Sequence, residues 1–242
     1  MGRAHEVRAA AMAKTAAMKS KVYSRYGKEI YIAAKSGVAD PEMNLALRSK
    51  IKEAKANQVP ADVIKRAIEK AKGGGNETYD TLRYEGIGPS GATVIVDCLT
   101  DNNNRTVAAM NSCFNKARCK LGVKGSVSFG YDNLGVLSFK YEDEDTMLDT
   151  LINADVDVND LEVEDGIMTV YTAPSDLHKA QEAIDALIPE CEYETCAIQM
   201  LPQEYVTLSD PHDQELWERL LRLLDEVDDV NEVFHNVENV NI

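Results

Sequence analysis

The chain has 242 residues, 44% of them apolar, five cysteines and a formal charge of −15, which gives material for buried cores and argues against a disordered protein. No run approaches the roughly 18 apolar residues of a membrane span, and the start Met1-Gly2-Arg3-Ala4-His5-Glu6 has no apolar secretory region. Cys98, Cys113, Cys119, Cys191 and Cys196 form no Cys-x-x-Cys pair, so neither a disulfide framework nor a zinc knuckle is signalled. A cytoplasmic protein with reduced thiols and no metal or cofactor is expected. The charge is lopsided: residues 1–80 hold 16 Lys/Arg against 9 Asp/Glu, a formal +7, and residues 81–242 hold 10 against 32, a formal −22.

The basic head spans residues 1–75 and reads as three helices. The first runs from about Lys14 to Ser36, with Val22, Tyr26, Ile30 and Ala33 recurring at the spacing of one helical face. The second opens at Asp40-Pro41, a capping oxygen followed by proline at the first helical position, and turns Leu47, Ile51 and Ala54 inward. The third begins near Pro60, packs through Ile64, Ala67, Ile68 and Ala71, and stops at Gly73-Gly74-Gly75. Separate stripes carry Lys14, Lys21, Arg25, Lys28 and Lys35, then Arg48, Lys52 and Lys55, then Lys65 and Arg66, with Lys70 and Lys72 beyond. Over residues 1–72 the cations outnumber carboxylates 16 to 7. A face evolved for solubility mixes signs; this excess suits the neutralisation of phosphates.

Gly73-Gly74-Gly75-Asn76 reads as a flexible hinge. Beyond it, Gly86-Ile87-Gly88-Pro89-Ser90-Gly91 matches the dinucleotide pattern Gly-x-Gly-x-x-Gly letter for letter, but a strand follows where a helix is needed, so no nucleotide site is expected. The glycines are expected to form a tight turn into the run Ala92 to Leu99, a central buried strand, and Asp101, Asn102, Asn103 and Asn104, with Arg105, are expected as an exposed functional loop at its carboxyl end. A helix over about 106–117 and a strand over 126–131 complete a βαβ unit, with Lys116, Arg118, Lys120 and Lys124 clustered around the Gly122 and Gly125 turn.

From residue 134 to 202 the order strand, helix, strand, strand, helix, strand appears, the ferredoxin-like βαββαβ arrangement, on a very acidic surface. The last forty residues read as a strand over 205–208, a helix over 211–227 carrying Trp217, Leu220, Leu221 and Leu224, and a strand over 232–237. If that final strand pairs with 93–99, the chain is an α+β protein of three parts. These are an N-terminal three-helix domain (1–75), a discontinuous α+β middle domain (80–133 plus 203–242) and an inserted acidic ferredoxin-like domain (134–202).

Nucleophilic catalysis needs a base beside a nucleophile and a group that orients the base. His5, His178, His212 and His235 lie in different units with no Ser, Cys or Asp at a telling spacing, so no enzyme is expected. The expected partner is a nucleic acid, DNA or in the alternative ribosomal RNA. A basic protein docking on the acidic lobe is a further alternative. A monomer is expected.

Many short motifs together resemble the YebC family. They are Ala33-Ala34-Lys35 through Asp40-Pro41-Glu42-Met43-Asn44, Ala54-Lys55 through Val59-Pro60, Arg66-Ala67-Ile68, Tyr84-Glu85-Gly86-Ile87-Gly88-Pro89, Thr100-Asp101-Asn102-Asn103-Asn104-Arg105-Thr106 and Gly125-Ser126-Val127. The resemblance covers nearly the whole chain. It implies three domains with a basic helical head and a cytosolic, non-catalytic regulator of gene expression, in a family that includes a mitochondrial translational activator. Two departures stand out: Ala4-His5-Glu6-Val7-Arg8 replaces the usual opening, and Arg118-Cys119 stands where the family has Gly-Gly.

Overall fold

The computed structural model describes residues 21–74 and 78–240. Two compact units emerge, Met1–Tyr79 and Asp80–Ile242. In the first, helix α1 covers residues 21–35 in its described part, followed by α2 (Leu45–Ala56) and α3 (Ala61–Lys72). Tyr26, Ile30, Ala33 and Ala34 of α1 are buried with Leu47 and Ala54 of α2 and Ile64 and Ala67 of α3, the apolar stripes expected from their spacing. The part of the first helix expected from Lys14 to Ser20 lies outside the described residues.

The start of α2 differs from expectation. The Asp40 carboxylate accepts from the Glu42 amide and its carbonyl from the Met43 amide, and residues 41–43 form a turn. The cap is Asn44, whose Oδ1 accepts from the Leu47 amide at 3.0 Å while its Nδ2 donates to the carbonyls of Ala33 and Val38. A carboxylate has no proton for those two carbonyls; a buried amide serves both helix ends.

The second unit runs β1 (Asp80–Ile87), β2 (Thr93–Thr100), α4 (Asn103–Lys116), β3 (Lys120–Leu121), β4 (Tyr131–Lys140), α5 (Glu144–Asn153), β5 (Val158–Glu164), β6 (Ile167–Thr172), α6 (Leu177–Leu187), β7 (Tyr193–Pro202), α7 (Pro211–Asp225) and β8 (Val230–His235). Its first sheet has the order β3-β1-β2-β8. β2 pairs antiparallel with β8, Val94 opposite His235 and Ile95 opposite Phe234, so chain segments more than 130 residues apart meet in one sheet. Val94, Val96 and Cys98 face a core with Phe114 of α4 and Trp217, Leu220 and Leu224 of α7. Each such fully buried side chain stabilises by about 1.5–3 kcal/mol. Ile95, on the other face of β2, packs with Val127, Tyr131 and Met200. Burial on both faces explains the consecutive apolar residues Val94-Ile95-Val96.

Three features of this unit depart from expectation. The sheet contains β1, where the Gly-rich stretch suggested a turn. Gly86 lies inside this strand, and a Cβ there would sit 2.0 Å from the Phe114 ring, so the glycine admits α4. At Gly88 a Cβ would meet the Trp217 ring at 2.5 Å, and only Gly91, with φ +83°, serves a turn. Residues 126–131 are not a strand: Ser128–Gly130 is a 3₁₀ turn and β4 starts at Tyr131. Residues 205–208 contribute a single parallel bridge, Val206 to Val237, instead of a strand.

The second sheet has the order β5-β6-β4-β7, all antiparallel, with α5 and α6 packed on it. The first and third strands of the unit are central, as the ferredoxin-like βαββαβ arrangement requires. The β5–β6 hairpin turns through Asp165 (φ 50°) and Gly166 (φ 77°), the left-handed pair of a tight type I′ turn. The overall class is therefore α+β, with N-terminal helices and two antiparallel sheets.

Candidate nucleic-acid interface

Of the head cations singled out in the sequence, Lys14 lies outside the described residues. Lys35, Arg48, Lys52, Lys55, Lys65 and Arg66 are exposed, while Lys21, Arg25 and Lys28 are half-buried on α1. Arg25 lies over the Tyr26 ring at 4.9 Å and 3.9 Å from Glu29, so it is partly committed to the fold. Arg48 donates to the carbonyls of Pro41 and Glu42 and ties down the turn before α2. Lys65 and Arg66 face Glu69 (3.9 Å) and Asp62 (2.7 Å) along α3; exposed pairs of this kind are worth about 0–1 kcal/mol and yield readily to a polyanion.

The fold also brings together cations from different helices. Lys35, at the end of α1, and Lys70, near the end of α3, lie 5.8 and 5.6 Å from the ring of Tyr31, which is itself buried and packed edge-on against Tyr79. The ring attracts both ammonium groups, so lysines of two different helices are drawn to one aromatic side chain. Lys52 and Lys55 are exposed along α2.

Lys50 does the opposite job. It reaches Glu29 at 3.2 Å and Glu53 at 2.7 Å, and Tyr26 Oη donates to the same Glu53. Burial alone would lower the Lys50 ammonium, but the two carboxylates outweigh it and raise it. Burial, with Glu53, pushes the Tyr26 phenol up to about 12. The Lys50 ammonium and the Tyr26 phenol therefore keep their protons near neutrality, and their contacts with Glu29 and Glu53 fasten α1 to α2.

The second half of the expected loop over Asp101 to Asn104 is helix. Asn103 and Asn104 already belong to α4, and Asn102 is its cap, accepting from the Arg105 amide at 3.1 Å. A strand end feeding directly into a capped helix needs only two linking residues, and Thr100 Oγ1 secures the Asn102 amide. Asn103 donates to Asp80. Arg105 forks onto Asp229 at 2.7 and 3.0 Å and also reaches Asp101 at 2.8 Å, so its guanidinium is held charged by Asp229 first and Asp101 second. Asp229 is buried and also accepts from Thr106 Oγ1. The motif thus clamps the start of α4 to the turn before β8, and Asn104 is exposed on the first helical turn.

Sequence reasoning missed Glu85. Its carboxylate is 2% exposed and accepts from the amides of Gly125 (2.7 Å), Val127 (2.7 Å) and Ser128 (3.0 Å). Burial would raise this carboxyl, but the three amide bonds prevail and hold it below its ordinary value. The lone glutamate among apolar neighbours was the available signal.

His5 lies outside the described residues, and among these the other three histidines do not converge. His235 stacks edge-on to Trp217 at 6.0 Å and is pushed down by burial, while His178 lies on α6 and His212 at the start of α7. Among the described residues, no group of three or more His, Cys, Asp or Glu side chains is placed to hold a metal ion, and no helix is long and apolar enough to cross a membrane.

Comparison with known proteins covers the same ground. Residues 3–74 match the model of the TACO1/YebC N-terminal domain, and residues 79–237 match that of the TACO1/YebC second and third domains. A relative from Alcanivorax borkumensis is 48% identical over 98% of this chain and 99% of its own; one from Vibrio parahaemolyticus is 50% identical over 98% and 100%. Both bear the name "Probable transcriptional regulatory protein". The crystal structure of a conserved hypothetical protein from Aquifex aeolicus superimposes with a TM-score of 0.72 at 31% identity, covering 90% of each chain.

Proposed function

The chain belongs to the TACO1/YebC family, and from that premise we propose that it is a non-enzymatic, nucleic-acid-binding regulator of gene expression acting in the cytoplasm. The observation that carries this reading is that Lys35 and Lys70, from different helices, both lie against the Tyr31 ring within a strongly basic helical unit. Names of the relatives support a regulator of transcription, and on this reading the nucleic acid bound is DNA. The same reading treats residues 80–133 with 203–242, and residues 134–202, as two lobes of the second unit, supported by their separate cores.

A second reading, a translation factor meeting ribosomal RNA with the same surface, is favoured by the helix starts. α2 opens with a buried Asn44 and an Arg48 turned back on its own loop, and α3 opens with Pro60 and Asp62. Neither presents the base-reading Asn, Gln or Arg that major-groove recognition uses at a helix start. Binding is therefore expected through phosphates more than base edges.

The test is fluorescence anisotropy of the full chain with labelled duplex DNA and with structured RNA across a salt series. The variant Lys35→Glu/Lys52→Glu/Lys55→Glu/Lys70→Glu, confined to exposed positions, is expected to bind at least tenfold more weakly and to show a shallower salt slope, by about 0.9 for each duplex phosphate no longer neutralised. Unchanged affinity in a folded variant removes the head from the site. Tighter binding to RNA at matched salt selects the translation reading, and tighter binding to promoter DNA the transcription reading.

A further inference from the structure

Resting on the nucleic-acid reading above, we infer that residues 122–130 form a second contact, in which an unpaired base of a single strand stacks on Phe129 while Lys120 and Lys124 take its flanking phosphates. Phe129 is 80% exposed and Val123 78%, although both sit in a segment that is firmly built. The Glu85 carboxylate draws in the amides on either side, Gly125 next to Lys124 and Ser128 next to Phe129. Glu85 O accepts from the Gly122 amide at 2.7 Å, and Val127 and Tyr131 are buried beneath. An apolar ring held outward on such a frame is not a side chain awaiting a place in the core.

The charge around the ring identifies the occupant. From residue 102 to 131 the chain contains Arg105, Lys116, Arg118, Lys120 and Lys124 and no carboxylate, within a unit where acids outnumber bases about three to one. Lys116, Arg118, Lys120 and Lys124 are exposed, and Lys120 sits on β3 opposite Ile87, two residues from Glu85. A cationic rim beside an exposed aromatic face is the arrangement that binds single strands: phosphates track the charge and a base takes the ring. A duplex, its bases stacked inside, offers the ring nothing.

The experiment uses a fluorescein-labelled oligouridylate of about 12 nucleotides and a duplex of equal length, each titrated with the full chain. Phe129→Ala is expected to weaken single-strand binding about tenfold, leave duplex binding unchanged and leave the salt slope intact. Phe129→Leu should be as weak as Phe129→Ala, and Phe129→Trp should restore binding. Lys120→Glu/Lys124→Glu should lower both affinity and slope, the slope by about 0.7 for each phosphate released. Unchanged unfolding midpoints establish that all variants fold. If Phe129→Leu binds like the native chain, an apolar or protein partner is indicated and the stacking inference falls. If Phe129→Ala binds normally while the head variant does not, the inference falls and the head reading stands. If the native chain binds neither oligonucleotide, both fall.

Discussion

Replacing Glu85 with glutamine keeps the shape of the side chain and removes one acceptor. Oε2 serves Val127 and Ser128 and Oε1 serves Gly125. A glutamine that puts its oxygen at the Oε2 position must turn its own amino group toward the Gly125 amide. The Gly125 N–H, on an exposed residue, then loses its acceptor, costing about 1 kcal/mol, and the two surviving bonds lose their charge assistance, roughly half their strength. Together these give about 3 kcal/mol, a large share of the roughly 5–15 kcal/mol of a folded domain. The assay is denaturant unfolding followed through Trp217, the one tryptophan of the chain and fully buried in the neighbouring core. Because the native carboxyl titrates below its ordinary value of 4.5, its stabilisation is complete above that pH and disappears as pH falls through the lowered folded-state value. The gap between native chain and Glu85→Gln should therefore narrow in acid. A difference under about 0.5 kcal/mol at neutral pH, or a gap that does not change with pH, would refute the claim that Glu85 holds the 122–130 segment.

Two further substitutions test the backbone argument. Gly86→Ala drives a methyl to 2.0 Å from the Phe114 ring, an overpacking expected to cost about 1–3 kcal/mol. Adding Phe114→Leu should recover part of that loss, as a double-mutant cycle in denaturant will report. Arg118 sits at φ +55° just past α4, with the Cys119 amide closing back on the Phe114 carbonyl. Arg118→Gly, the residue usual in the family at this point, relieves left-handed strain and should stabilise the chain by about 0.5–1 kcal/mol net of glycine's greater unfolded freedom. A lowered midpoint for Arg118→Gly would count against this reading of the helix end.

The amino-acid sequence determined whatever depends on neighbours along the chain. Apolar spacing placed α1, α3 and α7, and the regular run of short elements specified the ferredoxin-like unit, because each strand and helix carries its own local period, even though β4 pairs with β7 more than 50 residues further on. Lopsided charge was equally plain, since counting needs no coordinates. Tertiary structure decided everything that rests on distance in space. Gly86 reads as a turn until Phe114 is seen lying against it. Arg105 reads as a loop cation until Asp229, 124 residues away, is found beneath it. Lys35 and Lys70 become one feature only because α1 and α3 bring them to the same ring, and Glu85 acquires its role from amides 40 to 43 residues downstream. A local pattern records the preferences of backbone and side chain within a turn or two. The partner that satisfies a buried charge or fills the space above a glycine is chosen by packing, and packing is settled only when the whole chain has folded.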